Sequence, residues 1–340
     1  MTFHLENPRR TVIVTGGSAG IGRAIALRFA AAGDRLGLIA RDKTALDEVK
    51  QEIERAGGDC VVVAADVADP AAVLAATDEI ERQFGRVDIW INNAMETVFS
   101  TVADMRPEEF KRVTEVTYLG VVHGTMAALK SMRRQDHAHI IQMGSALSYR
   151  GIPLQSAYCG AKHAIRGFTE SLRSELIHEG SSITVSMIDL PAVNTPQFDW
   201  ARLHIGHVPR PMGTPIEPEV VADAVFRVAA GRGREYWLGI PTMLTMIANT
   251  IMPGFLDRYL AKAAVAGQQS GEVALSGRPD NLERPITALH RTRGSFSAEA
   301  TSTAILIPGG IARVGIIVAG AALFFALGAS IGRRSRKRMS

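Results

Sequence analysis

Short apolar runs alternate with amphipathic stretches along most of the chain. Thr11–Val14, Leu36–Ala40, Cys60–Ala65, Val87–Ile91, Ile140–Met143 and Ile183–Ile188 read as strands. Between them, Ile21–Ala32, Thr44–Arg55, Pro70–Phe84, Glu108–Met132 and Ala157–His178 are amphipathic segments of helix length. The strands are apolar on both faces, as they must be when helices cover both sides of a parallel sheet. The pattern predicts an α/β fold built on a doubly wound parallel sheet. Residues 266–305 lose this periodicity and are rich in Gly, Ser, Thr, Arg and Pro, so a solvated linker or loosely held extension is expected there. Val314–Ile331 then runs 18 residues without a charge. Three parts follow: a folded domain over 1–265, a linker over 266–305, and an apolar helix with a basic tail over 306–340.

A chain of 340 residues with 46% hydrophobic content can bury a substantial core. Its two cysteines, Cys60 and Cys159, exclude a disulfide framework or a Cys-rich zinc site. His123, His163 and His178 have no ligand-like grouping, so no metal is expected. The net charge of +4 falls to −1 once the five cations of residues 333–340 are set aside, so the basic character belongs to the tail and no nucleic-acid face is expected. The N-terminus has no apolar run before a cleavage site, and no secretory signal is expected. As a helix, Val314–Ile331 would span about 27 Å, close to the roughly 30 Å hydrocarbon core of a bilayer. Followed directly by cations, it reads as a C-terminal membrane anchor on an otherwise cytoplasmic domain, either with its basic end translocated or held at the surface. Leu238–Leu256 is also charge-free but contains Pro241 and Pro253, so it is expected to cover the core or line a pocket mouth.

Candidate chemistry lies at the strand ends. Thr15-Gly16-Gly17-Ser18-Ala19-Gly20-Ile21-Gly22 joins the first strand to the first helix, where glycines permit a tight turn and let backbone amides approach a pyrophosphate. The second strand ends Ala40-Arg41-Asp42. A cation there suits the 2′-phosphate of NADP(H) in place of the ribose hydroxyl of NAD(H), so NADP(H) is the expected cofactor. Tyr158 and Lys162 are four apart and share a helix face. A nearby ammonium stabilises a phenolate, so the pair suits proton transfer to or from a carbonyl oxygen. Ser145 ends the strand before them, where its hydroxyl is suited to hold that oxygen.

Thr15–Gly22, Asp66-Val67, Asn92-Asn93-Ala94, Ser145 and Tyr158-x3-Lys162 together resemble the short-chain dehydrogenase/reductase family over about residues 10–262. The resemblance implies a Rossmann-type sheet of about seven strands, a Ser145–Tyr158–Lys162 catalytic group, and Lys162 also holding the nicotinamide ribose. It assigns Gly16, Ser18, Gly20, Ile21 and Gly22 to the cofactor, places Asp66 and Val67 at the adenine, and puts Asn92 and Ala94 beside the adenosine ribose and the sheet. Pro191, Val193 and Thr195 resemble the segment that meets the carboxamide and pyrophosphate. Dimers or tetramers are common in the family. Three departures stand out: Thr117 occupies the place of a relay asparagine, and Met95 and Ala192 replace glycines, adding volume near the nicotinamide. The expected activity is hydride transfer between NADP(H) and a lipophilic carbonyl or secondary alcohol, with residues such as Met95, Glu96, Leu147, Tyr149, Gln155 and Phe198 around the pocket. The alternative is a non-catalytic protein of the same fold that senses dinucleotide at a membrane.

Overall fold

The computed structural model describes residues 9–133, 135–275 and 277–315. Strands β1 (Thr11–Thr15), β2 (Arg35–Ala40), β3 (Cys60–Ala64) and β4 (Ile89–Asn92) alternate with helices α1 (Gly20–Ala30), α2 (Lys43–Arg55) and α3 (Pro70–Phe84). A short strand β5 (Val98–Phe99) precedes α4 (Pro107–Thr114). A π-helical turn, Glu115–Leu119, joins α4 to α5 (Gly120–Met132), so the single amphipathic stretch of the sequence is one helix path with an interruption at Thr117. Then come β6 (Ala138–Met143), α6 (Ser156–His178), β7 (Ile183–Asp189) and a single turn, α7 (Gln197–Trp200). After β8 (Arg202–Leu203) and β9 (His207–Pro209), α8 (Pro218–Ala230) leads into β10 (Glu235–Leu238). Helices α9 (Ile240–Ile251) and α10 (Pro253–Gly267), then β11 (Gln269–Val273) and β12 (Leu306–Pro308), complete the described elements.

The main sheet runs β12-β10-β7-β6-β4-β1-β2-β3, parallel throughout except for β12, which pairs antiparallel with β10. The parallel part has the seven strands expected of the Rossmann type, and β12 adds an eighth. Successive residues of β1 serve opposite faces, as a strand's twofold alternation requires. Val12 and Val14 pack with Ile25, Phe29, Leu46 and Val225 of α1, α2 and α8, whereas Ile13 packs with Ile80, Ala128 and Leu172 of α3, α5 and α6. Strand order reverses between β1 and β4, and the carboxyl ends of these strands open on the crevice where such sheets take ligands.

Pro253 ends α9 at Met252 and starts α10, so Leu238–Leu256 forms two helix segments over the mouth of that crevice, the placement anticipated for it. Residues 268–308 correct the linker expectation. β11 pairs with β9, Leu282 is fully buried against Val98, Val113 and Ala157, and β12 joins the sheet. Gly, Ser and Pro here mark a non-periodic path across the surface, held by packing at both ends. Residues 316–331 of the apolar tail lie outside the described residues, and the expected anchor with them. Among the described residues, no helix is long and apolar enough to cross a membrane.

Candidate active site

One cavity of about 700 Å³ runs along the carboxyl ends of the central strands. At its middle, the turn after β1 is set by close backbone approach. Gly16 adopts φ +69° and packs against Ala94 and Asn93, and a side chain at Gly22 would collide with the Gly16 carbonyl. Gly22 therefore lets the helix lie on the turn and does not itself line the cavity, whereas Gly16, Ser18, Gly20 and Ile21 do. The first-turn amides of an α-helix lack intrahelical partners and carry the positive end of its dipole, an arrangement suited to phosphate. The Gly20 amide is already used: it donates to the carbonyl of Arg291 at 2.9 Å.

Arg41, Asp66 and Val67 line one end of the cavity. Arg41 is not free there. Its guanidinium donates to Glu96 (2.5 Å) and to the carbonyls of Asn281 (2.5 Å) and Leu282 (3.1 Å). Burial pushes the Glu96 carboxyl up to about 8 against the pull of Arg41 and Arg112. Asp66 pairs with Arg112 at 2.5 Å and accepts the Ala68 amide at 3.0 Å. Ala94 lines the cavity but Asn92 does not. The Asn92 amide sits in a buried network, accepting from Trp90 and donating to Thr125 and Gln142, which stitches β4 to β6 and α5. Its neighbour Asn93 lines the cavity instead and donates to the carbonyl of Thr15 at 3.0 Å. The sequence carried no signal to choose between the two asparagines.

At the other end stand Ser145, Tyr158 and Lys162, all on the cavity wall. Ser145 follows β6 and caps a short 3₁₀ turn, its hydroxyl accepting the Leu147 amide at 3.1 Å. Tyr158 and Lys162 lie one turn apart at the start of α6, with the ammonium 5.5 Å from the ring centre. Burial raises the Tyr158 phenol, and a hydrogen bond from Ser145 opposes the rise. Burial also lowers the Lys162 ammonium to about 8, with Asp189 pulling the other way. Lys162 donates to the Met143 carbonyl at 2.6 Å.

Thr117, which the resemblance put in the place of a relay asparagine, turns its hydroxyl to the backbone: it accepts the Glu96 amide and donates to the Glu96 carbonyl, both at 2.9 Å, and it is absent from the cavity wall.

Asp189 was missed in the sequence. It ends β7 with no exposure, accepts the Ser145 amide at 3.1 Å, and has one carboxylate oxygen buried without a partner. Burial pushes its carboxyl well above the usual carboxylate range. An acidic residue closing the apolar run Ile183–Ile188 was the available signal.

Pro191, Val193 and Thr195 line the cavity, as do Met95, Ala192, Glu96, Leu147, Gln155 and Phe198. Tyr149 does not: it turns away to hydrogen-bond Glu235, under the Arg166 guanidinium. Helices α9 and α10 contribute Leu244, Ala248, Leu256, Tyr259 and Leu260 to the apolar wall beyond Tyr158. Residues Asn281, Ile286 and His290 of the C-terminal segment close the wall near Arg41, and nothing in the sequence pointed to them.

Among known protein families, the one described as short chain dehydrogenase matches residues 10–203. An uncharacterized oxidoreductase, YxnA, of Bacillus subtilis is 31% identical over 77% of this chain and 74% of its own length. Of solved structures, an alcohol dehydrogenase from Thermococcus sibiricus, complexed with 5-hydroxy-NADP, is 26% identical with a TM-score of 0.59, covering 67% of this chain and 95% of that one. A short chain dehydrogenase/reductase from Burkholderia phymatum, in complex with NAD, shares the fold at 24% identity and a TM-score of 0.63, covering 78% of this chain and 98% of that one.

Proposed function

The chain belongs to the short-chain dehydrogenase/reductase family and is an oxidoreductase of it; from that premise we propose that it transfers a hydride between NADP(H) and a lipophilic carbonyl compound or secondary alcohol. The observation behind this reading is the continuity of one cavity from the glycine turn to Ser145, Tyr158 and Lys162. A long cleft with a helix N-terminus at its middle and a cation at one end fits a dinucleotide phosphate. The dinucleotide supplies or takes up the hydride when bound.

The chain's own residues hold and move the proton. Ser145 orients the substrate oxygen. Tyr158 donates its phenolic proton to that oxygen in reduction and takes one up in oxidation. Burial favours the phenol, so the donor role is the easier one, and the hydrogen bond from Ser145 is what opposes the rise. Gly16, Ser18, Gly20, Ile21, Ala94, Pro191, Val193 and Thr195 hold the cofactor along the cleft, with Asp66 and Val67 at the adenine and Arg41 facing the 2′-phosphate. The apolar wall from Met95, Phe198, α9 and α10 supports a lipophilic substrate.

Attachment to a membrane through Val314–Ile331 belongs to the same proposal. It is supported by the exposed Leu244, Ile251, Met252 and Phe255 along α9, the turn after it and α10, of which Leu244 also lines the cavity. Sedimentation of the full chain with membranes, lost on deleting 314–340, is the expected result.

The test of the reading is a side-by-side fluorescence titration of NADPH and NADH into the full chain, followed by a screen of lipophilic ketones and alcohols. Selective NADPH binding with turnover supports it. Equal binding of the two removes the NADP(H) preference, and binding of neither removes the reading.

A further inference from the structure

Residues 281–296 cross the open side of the cleft at the end opposite Tyr158. Asn281 and Leu282 give their carbonyls to Arg41, and Leu282 also accepts from Arg112 at 3.2 Å. Five residues on, the Thr287 hydroxyl donates to Asp42 at 2.5 Å, and the His290 ring lies 5.3 Å from that of Trp200. The Arg291 carbonyl accepts the Gly20 amide at the head of α1. Gly294 donates to the carbonyl of Asn194 at 3.1 Å, and Phe296 to its side chain at 3.0 Å. The segment thus touches the loops after β1, β2 and β7, which are the loops that line the dinucleotide cleft.

It is fixed at both ends and held unevenly between. Leu282 is fully buried, and β12 is locked into the sheet. Between them the His290 side chain is buried 3.7 Å from Asp42 and Phe296 packs edge-on against Phe198, whereas the ion pairs Arg291–Asp199 at 2.6 Å and Arg293–Glu219 at 2.9 Å are half exposed and each of small net worth in solvent. The stretch Arg291–Arg293 is therefore where the segment opens most easily without unfolding the domain. Asn281, Ile286 and His290 form cavity wall, so they face whatever occupies this end.

We propose that residues 281–296 are a strap belonging to the dinucleotide site, closing over the adenosine end and setting the rate of cofactor release, with Arg41 tethering its fixed end at Asn281 and Leu282. The proposal rests on the dinucleotide reading above. A dinucleotide bound in the cleft lies beneath the strap, and its escape requires the strap to lift.

Trypsin cleavage after Arg291 and Arg293, both half exposed, reports strap opening in the full chain. Saturating NADPH is expected to slow cleavage at these two bonds roughly tenfold, the equivalent of about 1.4 kcal/mol. A side chain at Gly294 would collide with the Thr195 carbonyl, so Gly294→Val should lift the strap and speed NADPH dissociation in a stopped-flow chase by roughly tenfold. Thr287→Val, which removes one hydroxyl and adds no bulk, should speed it several-fold and serves if the valine at 294 prevents folding. NADPH binding without protection at Arg291 and Arg293, or an unchanged dissociation rate in the folded variants, overturns the strap and leaves the dinucleotide reading standing. Absence of any dinucleotide binding overturns both.

Discussion

The two ends of the cavity are built in different ways. At the proposed catalytic end, Ser145, Tyr158 and Lys162 come from one strand end and the first turns of the helix that follows, within 18 residues of each other. Their neighbours, Met143, Asp189 and Leu190, are buried on adjacent strands, and the controlling influence there is loss of water: it raises Tyr158 and lowers Lys162. At the proposed adenosine end, Arg41 meets the buried Glu96 and a segment 240 positions away in sequence, through part-buried side-chain and backbone hydrogen bonds. One end is local; the other is assembled from distant pieces. Chemistry needs groups held at fixed distances, whereas exchange of a large cofactor needs contacts that can be broken.

The largest expected effect falls at the catalytic end. Tyr158→Phe removes the proton donor and should lower kcat by about 10²–10⁴-fold while NADPH titration stays as in the wild type. A variant that turns over at near the wild-type rate would break the comparison, because the local end would then have no chemical role. Arg41→Ala should weaken NADPH by roughly ten- to a hundredfold and NADH much less, since a charge-assisted bond to the 2′-phosphate is worth about 1.5–3 kcal/mol. Equal loss for both cofactors would make Arg41 a tether for Asn281 and Leu282 alone.

Thr117→Val sharpens the comparison in between. It leaves the buried amide and carbonyl of Glu96 without their hydroxyl partner, which should cost about 1–3 kcal/mol in denaturant unfolding. Loss of turnover beyond the loss of folded protein would return Thr117 to a proton relay.

A further effect concerns pH. The folded carboxyl of Glu96 is raised from 4.5 to about 8, so the folded state holds a proton there that the unfolded chain releases. Its contribution to stability is fully present below pH 4.5 and is lost as pH rises through 8. Glu96→Gln should flatten that slope in unfolding measured across pH 5–9. It should also raise NADPH affinity a few-fold above pH 8, where the wild-type carboxylate competes with a phosphate for Arg41. An unchanged slope would place the Glu96 pKa near its ordinary value.

Much of this architecture was legible in the residues. The strand runs and helical spacings were readable because a sheet covered on both faces must be apolar on both faces, and β1 with Val12, Ile13 and Val14 shows that demand directly. The glycine turn and the Tyr158–Lys162 pair were readable because each is a short-range requirement: a positive φ at Gly16, a close approach at Gly22, and one helical turn between two side chains.

The rest depended on partners far along the chain. That Asn93 and not Asn92 lines the cavity follows from Trp90, Thr125 and Gln142 claiming the Asn92 amide. That Thr117 serves the Glu96 backbone follows from a π-helical turn that no periodicity announces. The 268–308 segment looked like linker because its contacts are single hydrogen bonds and isolated side chains such as Leu282, spread too thinly to leave a repeating pattern. The sequence by itself determined the sheet, the glycine turn and the Tyr158–Lys162 pair, each coded by spacing within a few residues. Only the tertiary structure decided what covers the cleft, because the segment that meets Arg41 lies 240 positions away, beyond the reach of any local spacing.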